Sequence, residues 1–307
     1  MPAGATAPAP PRVARLSQAA ARAVCEPDER FDWSSLGPGA PIPRELMSVA
    51  GLDLDLTDEQ RARLAREEVA SMLAAGVFFE AVLNAGMSLQ IAHRYEPTDP
   101  RVTFLLHEIG EETRHSRAFI RLIEQLEPTA VDPLDTPVSR AFVRFFVRLL
   151  VRQPALFTVF VLAGEEIPDL LQRLASEHPE TDPLLAAVNR YHRQEEARHL
   201  AYARMVLPEV WADASAIERA RVRHLAPRLI HLLFDTLVHP GVYATVGLPR
   251  FATWRAANRS PERVALRHQA TRPILRALLD AGVMRPGRVS RGWQQLCGVD
   301  RRGRPVD

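Results

Sequence analysis

Two Glu-x-x-His motifs constrain the fold of this chain more than any other feature of its sequence. They are ETRH at 112–115 and EARH at 196–199, and no third copy occurs among the 307 residues. Both lie among good helix formers, where a spacing of three residues places carboxylate and imidazole on one helix face. Two such motifs, with one glutamate from each of two other helices, form the two-metal site of ferritin-like bundles. The pattern therefore predicts an all-α protein, a four-helix bundle with a di-metal site in its core.

Single glutamates on two apolar helices supply the remaining carboxylates. Glu80 stands in GVFFEAVLNAGM, and Glu165 and Glu166 stand in VFVLAGEEIPDLL. No Lys or Arg lies within one helical turn of them, and an isolated buried carboxylate is strongly unfavourable unless it is protonated, paired or bound to metal. We therefore expect Glu80 and one member of the 165–166 pair to bind metal.

An alternative interpretation places the motif glutamates on solvated helix faces. Glu112 and Glu196 would then pair with their neighbours Arg114 and Arg198. This alternative leaves Glu80 without an explanation.

His192 adds a third imidazole to the predicted site. It lies four residues before Glu196 and seven before His199, so the three side chains form one stripe along a helix. If all the candidates bind, four carboxylates balance the charge of two divalent ions. Mixed oxygen and nitrogen ligands suit iron, with manganese as the second choice. The candidate ligands are Glu80, Glu112, His115, one of Glu165 and Glu166, His192, Glu196 and His199.

The order of helices follows from breakers and caps. A capping signal at Thr57 predicts a first helix to about residue 93, and the Pro and Asp residues at 97–100 precede a second over 101–126. A third helical region starts near Pro137, is interrupted at Pro154 and reaches about residue 177. A fourth runs from about 183 to 206 and ends before Pro208. Further helical patterns occupy 214–239 and 260–281.

These patterns divide the chain into four parts. Residues 1–20, rich in Ala and Pro, are expected to form a disordered leader, and residues 21–56 an extended arm that packs on the core. Residues 57–285 are expected to form a single helical di-iron domain. Residues 286–307 are expected to form a basic tail.

Composition excludes several classes of protein. Lys plus Arg (39) nearly balance Asp plus Glu (37), so the net charge of +2 gives no reason to expect a nucleic-acid or membrane partner. The apolar stretch around 141–163 carries Arg144, Arg148 and Arg152, which argues against a membrane span. Two distant cysteines, Cys25 and Cys297, argue against a disulfide framework and favour a reducing, cytoplasmic location.

The motifs resemble those of a known family. ExxH at 112–115, HxxxExxH at 192–199 and single glutamates on the first and third helices look like the para-aminobenzoate N-oxygenase (AurF-like) di-iron proteins, over roughly residues 57–240. The resemblance implies seven metal ligands, which are Glu80, Glu112, His115, Glu165, His192, Glu196 and His199. It also bears on Glu165, because the family's spacing to His192 favours Glu165, whereas helical phasing favours an inward-facing Glu166.

By resemblance, the function is O2-dependent oxygenation of an amine nitrogen, from arylamine to hydroxylamine, nitroso or nitro product. The implied partners are O2, a small amine or aromatic substrate and an external electron donor, and a homodimer is allowed. An aminobenzoate would need a cation near the metals, yet the first helix has none between Arg66 and Arg94. Two alternatives stay open, a di-iron oxidase or hydroxylase that acts on carbon, and a non-catalytic iron-binding bundle.

Overall fold

A computed structural model of the protein describes residues 11–306, and they form an all-α structure. No β-strand occurs in this range, apart from an isolated bridge between Val299 and Pro305. The α-helices are α1 (Pro11–Arg22), α2 (Pro27–Arg30), α3 (Asp58–His93), α4 (Pro100–Leu126), α5 (Pro137–Leu150), α6 (Pro154–Glu177), α7 (Pro183–Asp213), α8 (Ala216–His224), α9 (Ala226–Thr236), α10 (Gly241–Ala244), α11 (Arg250–Arg259), α12 (Pro261–Asp280) and α13 (Arg291–Cys297).

Helices α3, α4, α6 and α7 form the central bundle, in which α3 packs along α4 and α6 along α7. Local sequence explains where three of them begin. The Thr57 side chain accepts from the Gln60 amide in a capping box, while Asp99 and Asp182 cap helices whose first residue is proline. The predicted all-α bundle with additional helices is therefore confirmed.

Two glycines set the distance between α3 and α6. The Phe79 ring of α3 lies over Gly164 of α6, and the Phe157 ring of α6 lies over Gly86 of α3. A Cβ atom would stand 1.6 Å from Phe79 at Gly164 and 2.1 Å from Phe157 at Gly86. Only glycine permits these contacts, which hold the two single-glutamate helices in register across the site.

The predicted end of the fourth helix before Pro208 is wrong. Helix α7 continues through Pro208 to Asp213, because Leu207, Val210 and Trp211 are buried in the core and tertiary packing overrides the break. Helix α6 continues through Pro168 to Glu177, where the sequence predicts its end. The break before Pro154 is present as predicted, and the chain turns by 116° between α5 and α6.

The ends of the chain are more ordered than the sequence predicts. Residues 1–10 of the expected leader lie outside the described residues, but residues 11–20 belong to α1, whose Val13 and Ala20 are buried. The prediction of a tail from residue 286 is also wrong, because Trp293 of α13 is completely buried and packs in the main core. In the expected arm, Ile42, Met47 and Val49 pack against a second core cluster.

Helix α3 is long and apolar enough to cross a membrane by length and composition. Its most apolar window of 18 residues has a mean hydropathy of 1.6, and 39% of that window is buried within the protein. Helices α5 and α6 pass the same test only as a bent pair. The central helix of a soluble bundle also passes it.

Candidate metal centre

The central bundle brings all seven predicted ligands into one buried cluster. Each exposes no more than 3% of its surface. One group comprises Glu80, His115, His192 and Glu196, and the other comprises Glu112, Glu165, Glu196 and His199, with the potential ligand atoms of each group within 4.8 Å of one another. Glu196 belongs to both groups, so the structure has the arrangement of two adjacent metal positions that share a carboxylate.

Glu112 and Glu196 lie between the two positions. Glu112 places Oε2 3.1 Å from Nδ1 of His115 and Oε1 3.1 Å from Nδ1 of His199. Glu196 places Oε1 3.1 Å from Nδ1 of His115 and Oε2 2.9 Å from Nδ1 of His199. Each carboxylate therefore directs one oxygen to each side of the cluster, as a bridging ligand does.

Glu80 and Glu165 stand at opposite ends of the cluster. Oε1 of Glu80 lies 3.4 Å from Nε2 of His192, while Glu165 belongs to the group that contains His199. Oε2 of Glu80 and Oε1 of Glu165 are buried and have no hydrogen-bond partner among the described residues. Buried carboxylate oxygens are stable only when they are bonded or neutralised, so this donor set fits a pair of cations.

Glu166 lies outside the cluster although it follows Glu165 directly. It forms an ion pair with Arg204 of α7, which supplies from another helix the cation missing from the local sequence. Burial raises the pKa of Glu166, and Arg204 opposes that shift. In the structure, Glu165 faces the cluster and Glu166 faces Arg204, whereas helical phasing alone favoured an inward-facing Glu166.

The acidity of the cluster follows from burial and crowding. Burial, with the charge of Glu112, raises the pKa of Glu80 well above its ordinary value, and burial with the charge of Glu196 does the same for Glu165. Burial and Glu196 also act to raise the pKa of Glu112, but His199 and His115 outweigh them and lower it to about 2. Without cations, burial and the neighbouring carboxylates make both outer glutamates harder to ionise than exposed glutamates.

A second layer of carboxylates orients the histidines. Nε2–H of His115 donates to Glu195 at 2.9 Å, and Nε2–H of His199 donates to Glu111 at 2.8 Å. With Nε2 engaged in these bonds, Nδ1 of each ring is directed at the cluster and is the atom that would bind a metal ion. His192 has the opposite orientation, since its Nδ1 bonds to Oε1 of Gln172 at 2.9 Å and its Nε2 faces Glu80.

Glu111 bonds a histidine of the cluster, whereas the nearby carboxylates Asp169 and Glu108 do not. Asp169 pairs with Arg193. Glu108 is buried beside the cluster, and burial raises its pKa to about 8. Glu195 was not predicted. The sequence does contain a signal for it, since both motifs extend to Glu-Glu-x-Arg-His when the preceding residue is included.

Glu111 and Glu195 exchange partners across the bundle. The glutamate of each extended motif bonds the histidine of the other, so α4 holds a ring of α7 and α7 holds a ring of α4. Arg198 donates to Glu111 at 2.8 Å. The two halves of the centre are therefore related by an approximate two-fold arrangement, and His192 is the residue that breaks it.

An apolar cavity of about 130 Å³ ends on the Glu80 and His192 side of the cluster. Aliphatic side chains of α3, α6 and α7 form most of its walls, together with the rings of Phe79 and Phe119. The side-chain amides of Gln172 and Asn189 also line it. No Lys or Arg of residues 11–306 lines it. Phe78, which directly precedes Phe79 in the sequence, points outward with 51% of its surface exposed.

Comparison of the sequence with models of known protein families agrees with this geometry. The family model described as P-aminobenzoate N-oxygenase AurF matches residues 10–282. The protein belongs to this family. Membership in the AurF family makes it a di-metal oxygenase or oxidase, and the predicted cofactor, two iron ions with manganese as the second choice, is confirmed by the family and by the donor set of the cluster.

Relatives of this AurF family member have been found in mycobacteria. The uncharacterized proteins Rv0885 of Mycobacterium tuberculosis (strain H37Rv) and Mb0909 of Mycobacterium bovis are each 24% identical over 251 residues, which is 80% of this chain and 72% of theirs. Two solved structures of R2-like ligand-binding oxidase variants, both with a reconstituted Mn/Fe cofactor, align with TM-scores of 0.46 and 0.41 at 15% and 12% identity. They cover 86% and 94% of this chain and 91% and 94% of their own.

Proposed function

We propose that this protein is an O2-dependent di-iron N-oxygenase that converts an uncharged amine, most simply an arylamine, into its hydroxylamine, nitroso or nitro product. The observation that carries the proposal is the apolar cavity that ends on Glu80 and His192. This cavity would hold a small substrate beside one end of the cluster, among apolar side chains. Membership in the AurF family supports the chemistry at nitrogen.

In this proposal the seven clustered residues are the metal ligands. Glu112 and Glu196, which lie between the two groups, would be shared by the two ions, while Glu80, His115 and His192 would hold one ion and Glu165 and His199 the other. When bound, two ferrous ions would supply the electrons with which O2 is activated, and an external donor must restore them. The ligands are Glu80, Glu112, His115, Glu165, His192, Glu196 and His199.

The protein's own residues orient the ligands and exclude water. Glu111 and Glu195 hold two imidazoles with Nδ1 directed inward, while Gln172 turns the third so that its Nε2 faces Glu80. The apolar walls of the cavity keep water from the reacting nitrogen, which increases every electrostatic interaction inside. The substrate then approaches from the side of Glu80 and His192.

The walls of the cavity favour a substrate without a carboxylate. An aminobenzoate would bring a charge into an apolar space, and the lining amides of Gln172 and Asn189 cannot neutralise it. Gln172 Oε1 already bonds to His192. We therefore expect aniline-like amines to be oxidised more efficiently than aminobenzoates.

Turnover of an amine panel tests the proposal. The iron-loaded protein, given a chemical reductant and ¹⁸O2, should convert an uncharged arylamine to products that carry ¹⁸O on nitrogen, detected by mass spectrometry. Glu112→Gln should lose this activity because it removes a bridging charge, whereas Glu166→Gln should retain it. Products labelled on carbon would support the alternative oxidase, and iron uptake without any labelled product would support the iron-binding bundle.

The same assay tests the substrate class. Leu171→Arg would place a guanidinium in the cavity wall, and it should raise kcat/KM for 4-aminobenzoate relative to aniline. A neutral replacement, Leu171→Met, is the control for the change in packing. An unchanged ratio in the arginine variant would contradict the assignment of this cavity as the substrate site.

We propose further that two copies pair through the outer face of α3. Its exposed positions follow a spacing of four and three residues, which is the pattern of packed helix pairs. No exposed charge lies between Arg66 and His93, so two copies meet without repulsion. The exposed positions of this face of α3 are 74, 78, 81, 85, 88 and 92.

A substitution in this face tests the proposed dimer. Phe78→Glu should convert a dimer to a monomer in light scattering, while Ile120→Glu on α4 should not.

A cytoplasmic location stays a prediction.

A further inference from the structure

Helix α5 presents a row of large apolar side chains to solvent. Val138, Phe142 and Phe145 expose 79%, 52% and 66% of their surface, and the half-buried Leu149 continues the row. The spacing of four, three and four residues places all four side chains on one face of the helix. Large exposed side chains in a continuous row mark an interaction surface.

Helix α5 packs on the bundle through residues that do not belong to this row. Only Leu150 of the helix is fully buried, and Phe146 makes an edge-on contact with Phe160 of α6. The helix is therefore attached to the bundle along a face different from the row. Among residues 11–306, the only ring contact made by the row joins Phe142 to Phe146 of the same helix.

The basic residues of α5 lie on a face of the helix separate from the row, and Arg148 lies nearest to the row. Arg140, Arg144 and Arg148 follow one another at four-residue intervals, and Arg152 comes one turn later. Arg140 pairs with Asp135, but Arg144 and Arg148 form no ion pair with any described residue. The helix itself contains no acidic residue. It therefore combines a phenylalanine-bearing apolar face with a separate, uniformly positive face.

We infer that α5 docks the protein on an anionic lipid bilayer, lying in the plane of the membrane surface. A helix with basic residues beside an apolar face that bears aromatic rings binds in this way, with the apolar side chains in the boundary between headgroups and acyl chains. The long arginine side chains reach back to the phosphates. The expectation of no membrane partner rested on the net charge of the whole chain, whereas the charge of α5 is local.

Charge favours a lipid surface over a second copy of the chain at this face. A second copy would bring its own arginines to the contact, and α5 offers no carboxylate to receive them. The outer face of α3 is uncharged and suits self-association, so the two surfaces differ in chemistry. Docking also differs from crossing a membrane, because the 14 residues of α5 are too few to span a bilayer.

Vesicle cosedimentation tests the inference. The full chain should bind vesicles of equal parts phosphatidylglycerol and phosphatidylcholine, should not bind phosphatidylcholine alone, and should dissociate at high salt. Each basic side chain near an anionic surface strengthens binding about fivefold. Arg144→Glu with Arg148→Glu should therefore weaken binding more than tenfold, as should Phe142→Ser with Phe145→Ser.

Matched surface substitutions serve as controls. Ile217→Ser replaces a side chain that is 65% exposed on α8, and Arg276→Glu reverses an exposed charge on α12. Both should bind vesicles as the unmodified chain does, and all variants should retain its melting temperature. Absence of binding by the unmodified chain, equal losses in the controls, or conversion of a dimer to a monomer by the phenylalanine pair would each overturn the inference. The last result would assign the face to a second copy.

Discussion

Glu111 and Glu195 decide how two of the histidines present themselves to the metals. Each accepts a hydrogen bond from an Nε2–H, and each does so from the opposite helix. Glu195→Gln should lower the affinity for ferrous iron about 10- to 100-fold, because the amide no longer fixes the tautomer or supports the basicity of His115. Competition with a coloured chelator measures this loss.

Glu166→Gln is the control for that measurement. It removes an equally buried carboxylate that pairs with Arg204 and contacts no histidine. Iron affinity should change little. If both variants lost affinity equally, the effect would reflect disturbance of the bundle, and the role assigned to Glu195 would be wrong.

Glu165 and Glu166 yield a second prediction, on stoichiometry. Glu165→Gln should reduce bound iron from two ions to one per chain, because the position that contains His199 loses its terminal carboxylate. Glu166→Gln should still bind two. Iron is counted by metal analysis after anaerobic loading and gel filtration. A full complement in Glu165→Gln would remove Glu165 from the ligand set.

The sequence is most informative at this scale. Spacing along single helices brings out the Glu-x-x-His pairs and the stripe from His192 to His199, because both are set by helix geometry. It cannot show that Arg204 neutralises Glu166 or that Gln172 orients His192, since those contacts join α6 to α7. Such contacts depend on how helices pack.

Among the elements, the pairing of α3 with α6 depends on Gly86 and Gly164. Gly86→Ala should destabilise the protein by about 1–3 kcal/mol, because the new methyl group would stand where the Phe157 ring lies. Chemical denaturation gives the free energy of unfolding. The position has no tolerance for even one additional carbon.

Gly110 of α4 is the matched control for that substitution. A Cβ there would lie 3.6 Å from an arginine nitrogen, which is an ordinary contact. Gly110→Ala should stabilise the protein by about 0.5–1 kcal/mol, since alanine favours the helix. If the two substitutions shifted stability in the same direction, packing of Phe157 on Gly86 would not be the cause.

Helix starts are more predictable than helix ends. The caps at Thr57, Asp99 and Asp182 are local and lie where the sequence indicates. Proline 208 indicates an end that α7 does not have, because apolar residues on both sides of it are held in the core. The direction of the chain after the α5–α6 break depends on long-range packing and has no local signal.

At the scale of the whole molecule, the C-terminal segment is part of the core. The indole of Trp293 is completely buried, and its Nε1–H donates to the carbonyl of Val222 at 3.0 Å. Trp293→Ala should cost about 3–5 kcal/mol of the free energy of unfolding. Gln295→Ala, exposed on the same helix, should cost almost nothing, and a similar small loss in both would mean that the segment does not pack on the core.

Composition led to the opposite expectation for both ends of the chain. The segment after residue 285 is rich in arginine, and the segment before residue 21 is rich in alanine and proline, which are features of solvated chain. Isolated apolar residues such as Val13 and Trp293 carry the packing instead. Isolated buried apolar residues in a polar segment are easily missed, because they form no periodic pattern in the sequence.

Because many carboxylates lie close together in the bundle, metal binding at this centre should be coupled to the release of protons. Glu80 and Glu165 have raised pKa values, because burial and neighbouring carboxylates disfavour their charged forms. They retain protons to higher pH than exposed glutamates, and a cation must displace those protons to bind. Iron loading should therefore release protons into weakly buffered solution, and affinity should increase with pH. Mild acid should remove metal from this protein without unfolding it.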